Sequence, residues 1–210
     1  MKHSLDDTIA AIVTPLGSGG LGVIRISGPA SQSILSKLFS PAKSAPLESH
    51  RLMHGWLVDP VKQNMIDEVM ACYMQAPKTF TGEDVVELHC HGSLQVLRVV
   101  LKQVMNAGGR LAERGEFTKR AFLNHKMDLS QAEAVSDLIK SVSPRGAGYA
   151  VGQLAGKLAQ EVSQIRKELL EMLASLEAVI DFADDLPTFD SSAGAKQISS
   201  LLERITGLLS

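Results

Sequence analysis

The sequence predicts an α+β chain: an N-terminal domain built on a mixed or largely antiparallel sheet with helices, then an all-α segment forming part of a helical bundle. Three observations predict it. Short apolar runs punctuated by Gly and Pro fill the first part of the chain. Strand signals vanish beyond about residue 118. From there, apolar residues recur at heptad spacing. The expected domains are 1–118 and 119–210.

The elements follow in order. The run Thr8 to Thr14, closed by Pro15 and Gly17, has the length and composition of a buried strand. Val23 to Ser27 is a second strand, entered through a glycine-rich turn. Gly28-Pro29 opens a helix over roughly 30–39, with proline expected at its first position. Strands follow near 51–58, 66–74 and 85–91, and Ser93 to about Ala107 is an amphipathic helix closed by Gly108-Gly109. Further on, Ser130-Gln131-Ala132-Glu133 has the capping-box pattern of a helix start. Ser143-Pro144 begins a long helix running to about Ala183, with Val151, Leu158, Ile165, Met172 and Val179 in one heptad register. Ala155, Val162, Leu169, Leu176 and Ala183 hold the other. Asp184 to Pro187 breaks it, and Ile198, Leu201, Leu202, Ile205 and Leu208 form a last stripe. These stripes call for more helix to pack against than the chain itself contains.

Composition narrows the function classes. With 45% hydrophobic and 21% charged residues, the chain suits a packed core. A formal net charge of −2 argues against a large, autonomous nucleic-acid footprint, and 4% aromatics against a broad stacking platform. Two cysteines, Cys72 and Cys90, are too few for a disulfide framework and are expected as buried thiols. Met1 to Asp7 lacks a signal-peptide pattern, and no run approaches the roughly 18 apolar residues of a membrane span, so a cytoplasmic location is expected.

Several motifs bear on chemistry. Gly17-Ser18-Gly19-Gly20-Leu21-Gly22 matches the dinucleotide fingerprint in letters but precedes a strand rather than a helix, which removes the helix N-terminus that would meet a phosphate. No G-x-x-x-x-G-K-[ST] occurs, so the chain carries no phosphate-binding P-loop. Arg25 shares a strand face with Val23, opposite Ile24 and Ile26. A charge there must reach solvent or meet an anion or carbonyl, and structural and ligand-facing roles are both open. In Val85-Val86-Glu87-Leu88-His89-Cys90-His91, period two puts Val86, Leu88 and Cys90 on one face and Glu87, His89 and His91 on the other. His89 and His91 could ligate a metal but lack a third ligand. All three could simply face water. Alternatively, Glu87 could recognise a ring with two adjacent N–H donors, such as a pterin. Arg110, Arg114, Lys119, Arg120 and Lys126 form a local basic cluster, of the kind usually found as solvated surface.

Three segments together resemble a known family. They are Gly19-Gly20-Leu21-Gly22-Val23-Ile24-Arg25-Ile26-Ser27-Gly28, the stretch Phe80-Thr81-Gly82-Glu83-Asp84 through Glu87-Leu88-His89-Cys90-His91-Gly92, and Arg114-Gly115-Glu116-Phe117-Thr118-Lys119-Arg120 through Lys126-Met127-Asp128 to Ala134. In this order they are similar to the MnmE (TrmE) tRNA modification GTPases, from about Asp7 to Asp184. The resemblance implies a tetrahydrofolate-binding, dimer-forming N-terminal domain like those of one-carbon enzymes such as the glycine-cleavage T protein. The first part of a helical domain follows. The implied ligand is 5-formyltetrahydrofolate or another tetrahydrofolate one-carbon derivative, with Arg25, Glu87 and Lys126 at the positions of the family's folate contacts. Intact members hydrolyse GTP with Mg2+ and K+, and their nucleotide and ion sites lie outside this chain, which is therefore not expected to act as a GTPase alone. With a flavin-dependent partner, MnmG (GidA), in a heterotetramer, they install an aminomethyl-type group at C5 of the tRNA wobble uridine. The rival expectations are a dimerisation scaffold with regulatory folate, and a metal-dependent hydrolase using His89 and His91.

Overall fold

The computed structural model describes residues 6–43, 46–182 and 190–209. The chain divides into two compact units between Met127 and Asp128.

The first unit holds seven strands: β1 (Ile9–Ile12), β2 (Gly19–Ser27), β3 (Phe39–Pro41), β4 (Arg51–Val58), β5 (Met65–Met74), β6 (Val85–Gly92) and β7 (Arg110–Leu111). Its helices are α1 (Ser31–Leu38), α2 (Leu94–Asn106) and α3 (Glu116–Leu123). The strands form one sheet in the order β3-β4-β5-β6-β2-β1-β7. Every pairing is antiparallel except β1 with β7, which is parallel, so the sheet is mixed. The two short edge strands, β3 and β7, carry no period-two signal and went unread in the sequence.

One face of this sheet is covered. Ile24 and Ile26 of β2, Val86, Leu88 and Cys90 of β6, and Ala71 and Tyr73 of β5 pack with Ile34, Leu35 and Leu38 of α1 and Leu97, Val100 and Val104 of α2. Alternate residues of the same strands therefore stand on the opposite, more open face.

Two expectations for this unit are corrected. The glycines from Gly19 onward do not form a turn ahead of β2. They lie within it, and the register slips between Gly19 and Gly22 as a bulge against β6. Pro29 precedes the helix instead of opening it, because Ala30 is the N-cap of α1 and its N–H is bound by Thr8 Oγ1 at 2.8 Å.

The second unit is helical: α4 (Leu129–Lys140), α5 (Pro144–Leu154), α6 (Lys157–Asp181) and α7 (Ser191–Leu209). The capping box at its start lies two residues ahead of the expected Ser130. Asp128 accepts from Gln131 N at 2.8 Å while Gln131 Oε1 accepts from Asp128 N at 2.9 Å, so both orphan donors are met two residues earlier. Ser130 instead donates its hydroxyl to Asp128 at 2.7 Å. Ser143 does cap α5, accepting from Gly146 N at 3.1 Å.

The single long helix expected from Ser143 is two helices. Gly156 takes the left-handed conformation at φ 75°, ending α5 before α6 begins. The freed carbonyl of Leu154 accepts from Gln131 Nε2 at 3.0 Å, so the break is supported from α4. The Asp184–Pro187 breaker lies outside the described residues. Arg204 of α7 joins Glu161 and Glu168 of α6 at 3.2 and 2.9 Å. Ile165 and Leu201 are buried, whereas Val162, Leu169, Ile198 and Leu202 remain exposed. Among the described residues, no helix is long and apolar enough to cross a membrane.

Candidate binding site on the open face of the sheet

Strand order brings together two residues that stand far apart in the sequence. Because β2 lies beside β6, Arg25 faces Glu87 directly across the ladder, and Cys72 of β5 continues the same row. Arg25 donates from Nε and Nη2 to Glu87 Oε1 at 2.9 and 2.7 Å. Oε2 of the carboxylate and Nη1 of the guanidinium take no part in that pair. The two side chains are 26% and 21% exposed, so the charges neutralise each other at the edge of solvent, where the pairing is stronger than on an open surface.

Aromatic rings frame the guanidinium. Its carbon lies 5.5 Å from the centroid of Phe80 and 5.7 Å from that of Phe117, within cation–π range. Phe80 comes from the segment before β6 and Phe117 from the first turn of α3. Neither was singled out in the sequence. What could have marked them is their place inside the two motif segments that also carry Glu87 and Lys126.

Lys126 does not touch the pair. Its Nζ donates to the carbonyl of Pro77 at 3.0 Å, and its stem lies against Gly82. It therefore backs the same 77–82 segment that carries Phe80.

His89, next along β6 on the open face, puts Nε2 3.5 Å from Glu87 Oε2. His91 turns instead to Asp67, whose Oδ1 lies 2.6 Å from Nδ1, and that hydrogen bond raises the imidazole above its ordinary pKa. Beside His89, between β2, β4, β5 and β6, lies a hollow of about 250 Å³. Among the described residues no three His, Cys, Asp or Glu side chains gather as a metal site. The sheet geometry explains this, because His89 and His91 are drawn to different carboxylates. The thiol of Cys72 is pushed up by burial and by Glu87.

The expected basic cluster resolves into two kinds of residue. Arg120 is 1% exposed, so the solvated-surface reading fails for it. It bonds the backbone carbonyl of Asp7 at 2.8 Å, the Asp7 carboxylate, Glu83 at 3.1 Å and Glu116 at 3.2 Å. Its Nε is nonetheless buried without a hydrogen-bond partner. Arg110 forks to Asp7 at 2.7 Å and to Glu116 at 2.7 Å. The hydrogen bond from Arg110 holds the Glu116 carboxyl down at about 2 against the opposing effect of burial, and Asp7 is lowered chiefly by Arg110 as well. Glu83 also accepts from Ser27 Oγ at 2.6 Å, tying α3 to β2. This cage fastens α3 to the sheet and thereby sets Phe117 over Arg25. It also explains the unit boundary, since a division at 118 would cut through α3.

The open-faced mixed sheet, its half-buried ion pair and the trailing helical unit define the class: an α+β domain followed by a helical domain. Residues 8–126 match the family described as GTP-binding protein TrmE N-terminus, and residues 129–210 match the MnmE helical domain. The tRNA modification GTPase MnmE of Synechococcus elongatus is 46% identical over 206 residues, covering 97% of this chain and 45% of that protein. That of Syntrophobacter fumaroxidans is 48% identical over 204 residues, covering 97% and 43%. That of Heliobacterium modesticaldum is 44% identical over 209 residues, covering 94% and 45%. The chain belongs to the MnmE (TrmE) family of tRNA modification GTPases, and spans a little under half the length of these relatives.

Proposed function

We propose that the first unit binds 5-formyltetrahydrofolate or another tetrahydrofolate one-carbon derivative, and that two copies pair through it. The observation that carries the reading is the Arg25–Glu87 pair, raised on the open sheet face between two aromatic rings, with Oε2 and Nη1 outside its two hydrogen bonds. A carboxylate oxygen suits the N–H edge of a pterin, and a guanidinium suits a carbonyl, formyl or carboxylate oxygen. Lys126 supplies positive charge along the neighbouring segment. When bound, the folate supplies the one-carbon unit, and these residues orient it.

Pairing is supported by the apolar surface of the same sheet, where Leu21 and Met70 are exposed beside the hollow next to His89 and suit cover by a second copy. In the longer protein, GTP hydrolysis with Mg2+ and K+, the flavin-dependent MnmG partner in a heterotetramer, and tRNA complete the reaction. That reaction adds a carboxymethylaminomethyl group at C5 of the wobble uridine, position 34.

The mutual neutralisation of Arg25 and Glu87 favours a second reading, in which the pair only holds β2 to β6 and the unit is a dimerisation scaffold. Calorimetric titration with 5-formyltetrahydrofolate separates the two. Arg25→Ala and Glu87→Ala should each weaken binding by at least about thirtyfold, as expected when one partner of a desolvated charge pair is removed, and Lys126→Ala by less. Unchanged affinity in both of the first two variants would leave the scaffold reading.

A further inference from the structure

We propose that His89 is a positioning residue for the folate site, holding the Glu87 carboxylate through its Nε2. The inference rests on the reading of Glu87 as a ligand-binding carboxylate.

The observation is an unmet polar atom in a particular place. Nε2 of His89 is buried and has no hydrogen-bond partner. An unpaired donor in such a position is costly, so it calls for an explanation. Glu87 Oε2 lies 3.5 Å from it. A carboxylate oxygen can only accept, so the stable tautomer of His89 carries its proton on Nε2. The gap is about half an ångström longer than an ordinary N–H···O bond, a distance that a small side-chain rotation closes. Arg25 grips the same carboxylate by Oε1. Arg25 and His89 therefore bracket Glu87 from its two oxygens, and the plane of the carboxylate is fixed only when both act. Because Nε2 is shielded from solvent, that nitrogen acts on the ligand through Glu87.

This separates His89 from His91, which spends its Nδ1 on Asp67 at 2.6 Å and lies outside the bracket. It also accounts for a histidine, rather than an apolar residue, standing beside Val23 and Met70 in the ladder.

The test compares His89→Phe, which keeps a ring and removes the donor, with His89→Gln, which restores an amide N–H on a flexible stem. Both are titrated calorimetrically with 5-formyltetrahydrofolate beside Glu87→Ala, and their thermal midpoints are measured. His89→Phe should bind about tenfold more weakly while melting close to the parent temperature, because the 3.5 Å contact it removes is not a formed hydrogen bond in the free protein. His89→Gln should recover much of the affinity. His91→Phe should leave affinity unchanged. If Glu87→Ala weakens binding but His89→Phe does not, the positioning role is overturned and the folate reading survives. If Glu87→Ala binds normally, both are overturned. If His89→Phe lowers the thermal midpoint and His89→Gln fails to restore affinity, the role is structural and the proposal is overturned.

Discussion

Replacing Arg120 by Met removes the centre of the cage that fastens α3 to the sheet, at nearly constant volume. The guanidinium is 1% exposed and meets Asp7, Glu83 and Glu116. With it gone, Asp7 and Glu116 keep Arg110, but Glu83 retains only neutral partners such as the Ser27 hydroxyl at 2.6 Å. Breaking a buried ion pair from one side typically costs about 3–5 kcal/mol, because a desolvated charge is stranded. The contrast is Arg51, whose pair with Glu48 is 67% and 53% exposed, and where Arg51→Met should cost no more than about 1 kcal/mol. Urea unfolding followed by tryptophan fluorescence reads the effect cleanly, since the single tryptophan, Trp56, lies in β4 of the first unit. Adding Glu83→Gln to Arg120→Met should return part of the loss by discharging the stranded carboxylate. A loss below about 1 kcal/mol for Arg120→Met, or no recovery in the double variant, would refute the stranded-charge account.

Three further outcomes are expected. Glu116 and Asp7 have carboxyls held below their ordinary values, so the stability they add is fully present above about pH 4.5. It is lost as the pH falls towards about 2, by roughly 2–3 kcal/mol for Glu116, and urea midpoints measured across that window check it. Gly28→Ala should destabilise the first unit by at least about 2 kcal/mol. Gly28 has φ 129°, and an added Cβ would lie 2.6 Å from the Asp7 carbonyl oxygen, so a normal melting temperature would contradict the close approach. Burial pushes the Cys90 thiol up to about 12, with Asp67 adding to it. Iodoacetamide at pH 8 should therefore leave Cys90 unmodified in the native chain and label it in urea, as peptide mass spectrometry would show.

How much of this was legible in the sequence follows from the range of each interaction. Alternation in β6 put Val86, Leu88 and Cys90 inward and Glu87, His89 and His91 outward, because a strand's pleat is a local property. The same reasoning marked Arg25 as oddly placed beside Val23, and marked the stripes of α6 and α7. Residues one to four apart decide such patterns, so one sequence suffices for them.

Other features depended on what the folded chain put beside each residue. That Arg25 meets Glu87, 62 positions away, follows from β2 lying against β6 in the sheet order, which no local pattern encodes. Arg120 looked like surface charge because its partners Asp7 and Glu83 are 113 and 37 residues distant; only Glu116, four residues back, hinted at pairing. The heptad pattern ran on through Gly156, since periodicity records which residues are apolar and is blind to a backbone turned left-handed between them. The amino-acid order alone determined the two-part fold, the faces of its strands and the family. Tertiary structure decided which charges are buried and which side chains share a site, because burial and charge pairing depend on neighbours that only strand order and helix docking supply.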